Sequence, residues 1–145
     1  MNQIAAYDQE IERLFLISAD SPLFASLPRA GKRLAPRLLA EIGDERARYG
    51  DAAGLQALAG TAPVCFESGK YARAHRRTAC LKPLRNAMQH FAWQSTLEEA
   101  WALSYYQRKR AEGKTRAEAV RCLKRHLADG RLPSARSGQR FRRGP

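Results

Sequence analysis

The sequence predicts a mostly α-helical domain in which a helix-hairpin-helix-like element follows a short coiled-coil segment. Apolar residues recur at spacings of three and four along most of the chain, and capping residues, prolines and glycines divide these stretches into short helices. Only one brief stretch, residues 62–66, is typical of extended structure. The chain has 145 residues, 44% of them apolar, and is therefore long enough to form one domain with its own core.

Residues 1–20 carry the pattern of a coiled coil. Ile4, Tyr7, Ile11 and Leu14 stand three and four positions apart over two heptads, with polar residues between them. Two heptads are marginally stable alone, so the segment either packs on the rest of the chain or is the end of a longer coiled coil. We expect it to precede a helical domain of residues 21–130.

Residues 20–43 predict two short helices joined by a tight hairpin. Asp20 and Pro22 are typical of a helix start, because an acidic cap and a proline both suit the first turn. The pattern breaks at residues 28–33, then resumes and ends at Gly43, a residue suited to a helix C-terminus. This arrangement resembles a helix-hairpin-helix.

The hairpin at residues 28–33 is a candidate DNA-binding element. In a helix-hairpin-helix, hairpin amides and a helix N-terminus point at a DNA phosphate. Gly31, Lys32 and Arg33 are the candidate contacts here. A purely structural helix-turn-helix explains the same residues.

The middle of the chain predicts a short helix, an extended stretch and a longer helix. Asp51 caps the first helix, which ends at Gly60, and residues 62–66 are followed by a turn at residues 67–70. Pro83 begins the longer helix. The face that it buries is predicted to hold Leu84, Ala87, Met88 and Phe91.

Two Thr-x-x-Glu patterns, at residues 96–99 and 115–118, predict capping boxes that open the last two helices. The first of these helices ends at Gly113. Residues 131–145 are basic and lack apolar periodicity, which predicts a disordered tail. The large aromatic side chains are predicted to belong to the core, since they stand at helical spacing: Trp93, Trp101, Tyr105 and Tyr106.

Positive charge is concentrated in the second half of the chain. Residues 1–67 hold 7 basic and 9 acidic side chains, whereas residues 68–145 hold 19 basic and 5 acidic ones. Such a surface favours nucleic acid, because each cation placed on a phosphate releases counterions. A solvated basic face or attraction to a membrane surface is the alternative. The candidate phosphate contacts around the turn and after it are Gly69, Lys70, Arg73, Arg76, Arg77, Lys82 and Arg85.

Several classes of protein are excluded by the sequence. The N-terminus lacks the features of a signal peptide, and no apolar run approaches the length of a membrane span, so we expect a cytoplasmic protein without a membrane partner. Cys65, Cys80 and Cys122 form no metal-binding pattern and are predicted to be reduced, mostly buried thiols. The three histidines lack catalytic partners at a suitable spacing.

In their order, the motifs resemble the C-terminal domain of insertion-sequence-110 (110/116/902) family transposases. The resemblance covers about residues 20–127. The matching segments are the hairpin at 28–31, the Leu-Leu-Ala-Glu-Ile-Gly-Asp run at 38–44, Gly-x-x-Pro at 60–63, Ser-Gly at 68–69, Trp-Ala at 101–102, Tyr-Tyr at 105–106 and Arg-x-x-Gly at 110–113. Arg29 departs from the pattern, since the family has a hairpin glycine there.

The resemblance implies a mechanism. In this family a RuvC-like domain holds Mg²⁺ through four acidic residues, a coiled coil joins the domains, and a serine of the C-terminal domain attacks the scissile DNA phosphate. Ser68 matches that nucleophile, and an element-encoded guide RNA is implied as a partner. A serine hydroxyl needs activation and nearby positive charge, which Arg73, Arg76 and Arg77 could supply. The alternative is that Ser68 is an ordinary turn serine.

We expect the chain to be a truncated C-terminal part that lacks the RuvC-like domain. It would then hold no metal or cofactor, with Mg²⁺ bound only by the missing domain, and would bind DNA without being active alone. Two alternatives are a small basic nucleic-acid-binding module without catalysis, and an inhibitor that pairs with full-length transposase. Homo-oligomerisation through the coiled-coil segment is a further expectation.

Overall fold

The computed structural model describes residues 3–129, and no helix within them is long and apolar enough to cross a membrane. The described part is mostly helical, as the sequence predicts. Its helices are α1 (Gln3–Ile17), α2 (Ser21–Ala25), α3 (Gly31–Ile42), α4 (Ala52–Leu58), α5 (Lys82–Glu98), α6 (Ala100–Ala111) and α7 (Arg116–Ala128), with a 3-10 turn at Arg46–Tyr49 and strands β1 (Val64–Ser68) and β2 (Tyr71–His75). The predicted tail at 131–145 lies outside the described residues.

Helix α5 forms the centre of the fold. It packs against α3, α6 and α7, and its predicted core residues, Leu84, Ala87, Met88 and Phe91, are all at most 4% exposed. Truncation of a buried leucine typically costs about 2–5 kcal/mol, so much of the stability depends on this helix. Trp93, Trp101, Tyr105 and Tyr106 are partly buried against the same core, which confirms the interpretation of the aromatics.

Helix α1 lies against α3 through charged side chains, and its apolar stripe is left exposed. Lys32 Nζ lies 3.0 Å from Glu12 Oε1, and Arg33 lies 2.6 Å from Asp8 Oδ2. Ile4 and Tyr7 are 65% and 70% exposed, and no residue of α1 is buried. Of the two interpretations that the sequence leaves open, the contact of α1 with α3 agrees with packing on the rest of the chain. The end of a longer coiled coil stays a prediction, and the apolar stripe of α1 has no partner within the described chain.

The extended stretch belongs to a β-hairpin. Strands β1 and β2 are antiparallel and are joined by the two-residue turn of Gly69 and Lys70, with Ser68 paired with Tyr71. The sequence predicts β1 and the turn but not β2. The Tyr-Ala-Arg-Ala-His sequence of β2 is exposed at every position, so it lacks the apolar alternation of a strand with one buried face. Both strands are largely exposed and contact each other far more than any helix, so the hairpin extends from the helical body.

One of the two predicted capping boxes is correct and the other is wrong. Thr115 accepts a hydrogen bond from the Glu118 N–H, and the Glu118 carboxylate accepts one from the Thr115 N–H. Thr96, in contrast, is buried inside α5 and donates its hydroxyl hydrogen bond to the Trp93 carbonyl oxygen. Thr96 therefore lies inside α5, which continues to Glu98, and α6 begins without a side-chain cap.

The prediction of mostly buried cysteines is also wrong. Cys65 is exposed on β1, and Cys80 and Cys122 are half-buried. All three are free thiols, as expected. The exposure of Cys65 follows from the hairpin, because no helix among residues 3–129 packs extensively on either of its faces.

Candidate nucleic-acid interface

Ser68 lies at the end of β1, directly before the hairpin turn. Side chains of a strand alternate between its two faces, so the register places Ser68, Phe66, Tyr71 and Arg73 on one face. The edge-to-face contact of Phe66 with His75, at 5.5 Å between ring centroids, lies on that face as well. Arg73 is therefore a diagonal neighbour of Ser68, and both residues are exposed.

The predicted cations after Ser68 lie along the path from the hairpin turn to α5. Lys70 is in the turn, Arg73 is on β2, Arg76 and Arg77 are in the segment that leads to α5, and Lys82 and Arg85 begin α5. Within residues 3–129, no carboxylate comes within 4.0 Å of any of these six side chains. Their positive charge is consequently available to an external anion.

Gly69 shapes the turn that displays Ser68. Its φ is +58°, in the left-handed region that glycine adopts without strain, and a Cβ there would meet no atom within 4 Å. The turn therefore requires the conformation of Gly69 and leaves space around it. That space keeps the Ser68 hydroxyl accessible.

The predicted hairpin at residues 28–33 is a turn at residues 28–30 followed by the first turn of α3, and its role in DNA binding stays a prediction. Arg29 and Gly31 have φ values of +52° and +56°, so Arg29 occupies a glycine-like backbone conformation. A cleft of about 580 Å³ lies between this hairpin and α5, where His90 and Gln94 line it. Lys32 and Arg33, however, are already paired with acidic residues of α1.

One positive group that sequence reasoning missed lies on α7. Lys124 is 2% exposed, and burial together with Arg85, Arg76 and Arg121 lowers its pKa to about 8. Lys124 stands four positions after the buried Val120, so the helical period places it on the core-facing side of α7. The four-residue spacing from Val120 is the sequence signal that could have identified Lys124 as a buried cation.

Other candidate chemistry is not assembled in the described residues. No group of three or more His, Cys, Asp or Glu side chains between residues 3 and 129 could hold a metal ion. The His126 ring stacks on Tyr105 at 5.0 Å between centroids, and His90 is exposed on α5. The guanidinium of Arg116 lies 4.2 Å from the Trp93 ring centroid, so this aromatic already has a cation on its face.

The comparison with known protein families defines the class of this protein as a transposase. The model of the transposase IS116/IS110/IS902 family matches residues 21–107, from α2 into α6. The chain belongs to this family.

The chain is similar to insertion-element proteins of two bacteria. It is 37% identical over 113 residues to the "Mini-circle putative transposase for IS117" of Streptomyces coelicolor, a match that covers 78% of this chain and 27% of that protein. It is 32% identical over 124 residues both to the insertion element IS110 uncharacterized 43.6 kDa protein of Streptomyces coelicolor and to the insertion element IS900 uncharacterized 42 kDa protein of Mycobacterium paratuberculosis, with 85% of this chain covered each time. The chain spans about three-tenths of the length of these relatives.

Proposed function

We propose that this chain is the DNA-contacting, serine-bearing part of an insertion-sequence transposase. The observation that carries the proposal is the position of Ser68, exposed at the end of β1 and followed by six cations without carboxylate partners. A DNA phosphate brought to Ser68 would meet guanidinium groups, which match its oxygens in a bidentate manner. Membership of the transposase family supports DNA as the partner.

The proposed chemistry is a phosphoryl transfer to Ser68. The Oγ attacks the scissile phosphorus, a phosphoserine ester forms, and the bond between phosphorus and the leaving strand oxygen breaks. The Ser68 proton is released and the leaving oxygen is protonated, so charge and atoms balance. Arg73, the diagonal neighbour of Ser68 across the strand pair, would stabilise the charge that develops on the phosphate oxygens.

The described residues do not fit the Mg²⁺ that the family implies. They hold no cluster of three or more potential ligands, and two acids of α1 are already paired with cations of α3: Asp8 with Arg33 and Glu12 with Lys32. We assign no step of the chemistry to a metal held by residues 3–129. A RuvC-like domain remains our proposed source of that ion.

Helix α1 favours pairing with another helix as an additional property. Its stripe of Ile4, Tyr7, Ile11 and Leu14 is between 47% and 70% exposed and is arranged over two heptads. A second copy of the chain or a full-length transposase would cover this stripe. A guide RNA is proposed on the resemblance alone, and its phosphates would compete for the same cations as DNA.

The proposal predicts salt-dependent DNA binding that depends on the β-hairpin. Replacement of Lys70 and Arg73 by alanine should weaken duplex binding on all sequences alike. It should also make the slope of the logarithm of the binding constant against the logarithm of salt concentration shallower by roughly two units, because each phosphate contact contributes about 0.9 to that slope. The matched control replaces Lys32 and Arg33, which are already paired with acids and should change the slope less. Fluorescence anisotropy over a salt series measures the slope for both double variants. Salt-independent binding, or equal effects of the two double variants, would contradict the proposal.

A non-catalytic binding module is the second candidate, since the same exposed cations would serve it without any role for Ser68. It predicts the same DNA affinity and no covalent adduct under any condition. The two functions therefore differ in whether Ser68 becomes covalently linked to DNA.

A further inference from the structure

One face of the β-hairpin carries two exposed aromatic rings. Phe66 of β1 pairs with Arg73 of β2, and Ser68 pairs with Tyr71 beside the turn. Directly paired residues point to the same side of a sheet, so these four side chains share one face. Phe66 is 63% exposed and Tyr71 is 77% exposed. The opposite face of the two strands holds only small or acidic side chains: Cys65, Glu67, Ala72 and Ala74. The aromatic and cationic groups are therefore gathered on the face that displays the serine.

These two rings differ from the aromatic side chains of the helices around α5. The latter pack on the core or on a neighbour, as Trp93 does beneath the guanidinium of Arg116. The Tyr71 side chain, in contrast, makes no hydrogen bond, ring contact or cation contact within residues 3–129. Phe66 makes one ring contact there, with His75, and stays largely exposed. Packing inside the described fold therefore gives neither ring a structural role.

The charges beside the rings indicate what kind of molecule would cover this face. Lys70 in the turn and Arg73 on β2 have no carboxylate within 4.0 Å among residues 3–129. Glu67, the acid of β1, points to the opposite face. A complementary molecule must therefore combine negative charge with flat apolar groups. A nucleic-acid strand has both, since its phosphates pair with cations and its bases stack on aromatic side chains.

The spacing of the two rings favours an unpaired strand over a duplex. Phe66 and Tyr71 are diagonal neighbours across the strand pair, and such neighbours are about 7 Å apart in an antiparallel sheet. Successive nucleotides along one strand of a duplex are only about 3.4 Å apart. Two successive bases that stack on the two rings must therefore separate from each other. Bases inside a duplex are stacked on their neighbours, so they have no free face for a side chain.

We propose that this face of the β-hairpin binds an unpaired stretch of DNA, with one base stacked on Phe66 and the next on Tyr71. The inference rests on the proposed function and adds the kind of DNA that the hairpin recognises. The second diagonal of the same face joins Ser68 and Arg73, and it crosses the first diagonal. The phosphate that links the two stacked nucleotides therefore lies over Ser68 and Arg73. Base stacking then brings that phosphate to the serine.

The test compares the full chain with Phe66→Leu, Tyr71→Leu and Tyr71→Phe, the last of which keeps the ring and removes only the hydroxyl. Each protein is titrated with a fluorescent oligodeoxythymidine, an oligouridine of the same length and a short duplex, and anisotropy gives the dissociation constants. Each leucine variant should lose about tenfold of its affinity for single-stranded DNA, because one stacked base is lost. Duplex affinity should stay nearly unchanged, because it depends on phosphate contacts.

Two controls accompany these variants. Tyr71→Phe should bind single-stranded DNA as the original chain does, because a phenyl ring stacks on a base without the hydroxyl. Leu97→Ala removes an exposed apolar side chain at the end of α5 and should change none of the dissociation constants. All four variants should keep the unfolding midpoint of the original chain, since the three substituted positions lie outside the hydrophobic core.

A loss in both leucine variants that is confined to single-stranded DNA and absent from Tyr71→Phe supports the inference. Equal losses for single strand and duplex, or a Tyr71→Phe loss as large as that of Tyr71→Leu, overturn base stacking. Tighter binding of the oligouridine than of the oligodeoxythymidine overturns DNA as the occupant. Unchanged single-strand affinity in the leucine variants also overturns the inference, and the proposed function stands when duplex binding still depends on Lys70 and Arg73. Both fail when the original chain binds no DNA.

Discussion

At the scale of single residues, Arg29 shows how a departure from a family pattern acquires a structural meaning. The resemblance implies a hairpin glycine at the position of Arg29, and the structure gives Arg29 a φ of +52°. The left-handed backbone explains why a glycine would suit this position, because a Cβ in that region costs roughly 1–2 kcal/mol. The sequence locates the anomaly, and the dihedral angle gives its cause.

We predict opposite stability changes at the two hairpin positions. Arg29→Gly should raise the free energy of unfolding by about 1 kcal/mol through relief of the left-handed conformation. Gly31→Val should lower it by about 1–2 kcal/mol through strain at φ +56°, although the new side chain meets no atom. Urea unfolding of both variants measures the two changes. A destabilised Arg29→Gly would mean that its 4.0 Å contact with Glu98 matters more than the backbone.

At the scale of elements, the two Thr-x-x-Glu patterns form different structures. Thr96 and Thr115 both precede a glutamate by three residues, but only Thr115 caps a helix. Thr96 follows Phe91 and Ala92 on the buried face of α5, where tertiary packing continues the helix past it. The sequence does not predict strand β2, because β2 is exposed at every position and therefore has no apolar alternation. Local sequence patterns therefore identify helices, whereas tertiary burial determines where a helix such as α5 ends.

The Thr115–Glu118 capping box predicts a pH-dependent contribution to stability. Hydrogen bonds from Thr115 lower the pKa of Glu118 below its ordinary value of 4.5. The lowered pKa means that this contribution is complete above pH 4.5 and is lost as pH falls through the folded-state pKa. Glu118→Gln should therefore be less stable than the original chain at pH 7, with a difference that shrinks in acid.

Thermal unfolding at several pH values, with Glu67→Gln on the exposed strand β1 as the control, measures this difference. Thr115→Ala should cost about 1 kcal/mol at neutral pH, as the loss of an N-cap does. A Glu118→Gln deficit that persists unchanged at acidic pH would assign the effect to packing instead of charge.

At the scale of the whole molecule, positive charge is divided into a paired and an unpaired part. Lys32 and Arg33 are held by α1, whereas the cations between Lys70 and Arg85 have no acidic partner in the described chain. The sequence predicts both groups as equal candidates, because pairing across 20 or more residues cannot be read from composition. Lys124 escaped notice for a similar reason, since its cationic neighbours include Arg76 and Arg85 from distant parts of the chain.

The last prediction concerns the chemistry of Ser68. The chain alone should bind DNA without cutting or joining it, because residues 3–129 offer no metal site. Addition of the remaining part of a full-length relative as a separate polypeptide, with Mg²⁺, the element's DNA ends and its guide RNA, should yield a protein–DNA adduct on a denaturing gel.

Ser68→Ala should abolish the adduct and leave DNA affinity nearly unchanged, since one hydroxyl contributes little beside phosphate charge. Ser104→Ala, on the exposed face of α6, should change neither. An adduct that survives in Ser68→Ala would contradict the nucleophile assignment, and its absence in a mixture where the full-length relative does form one would favour the non-catalytic binding module.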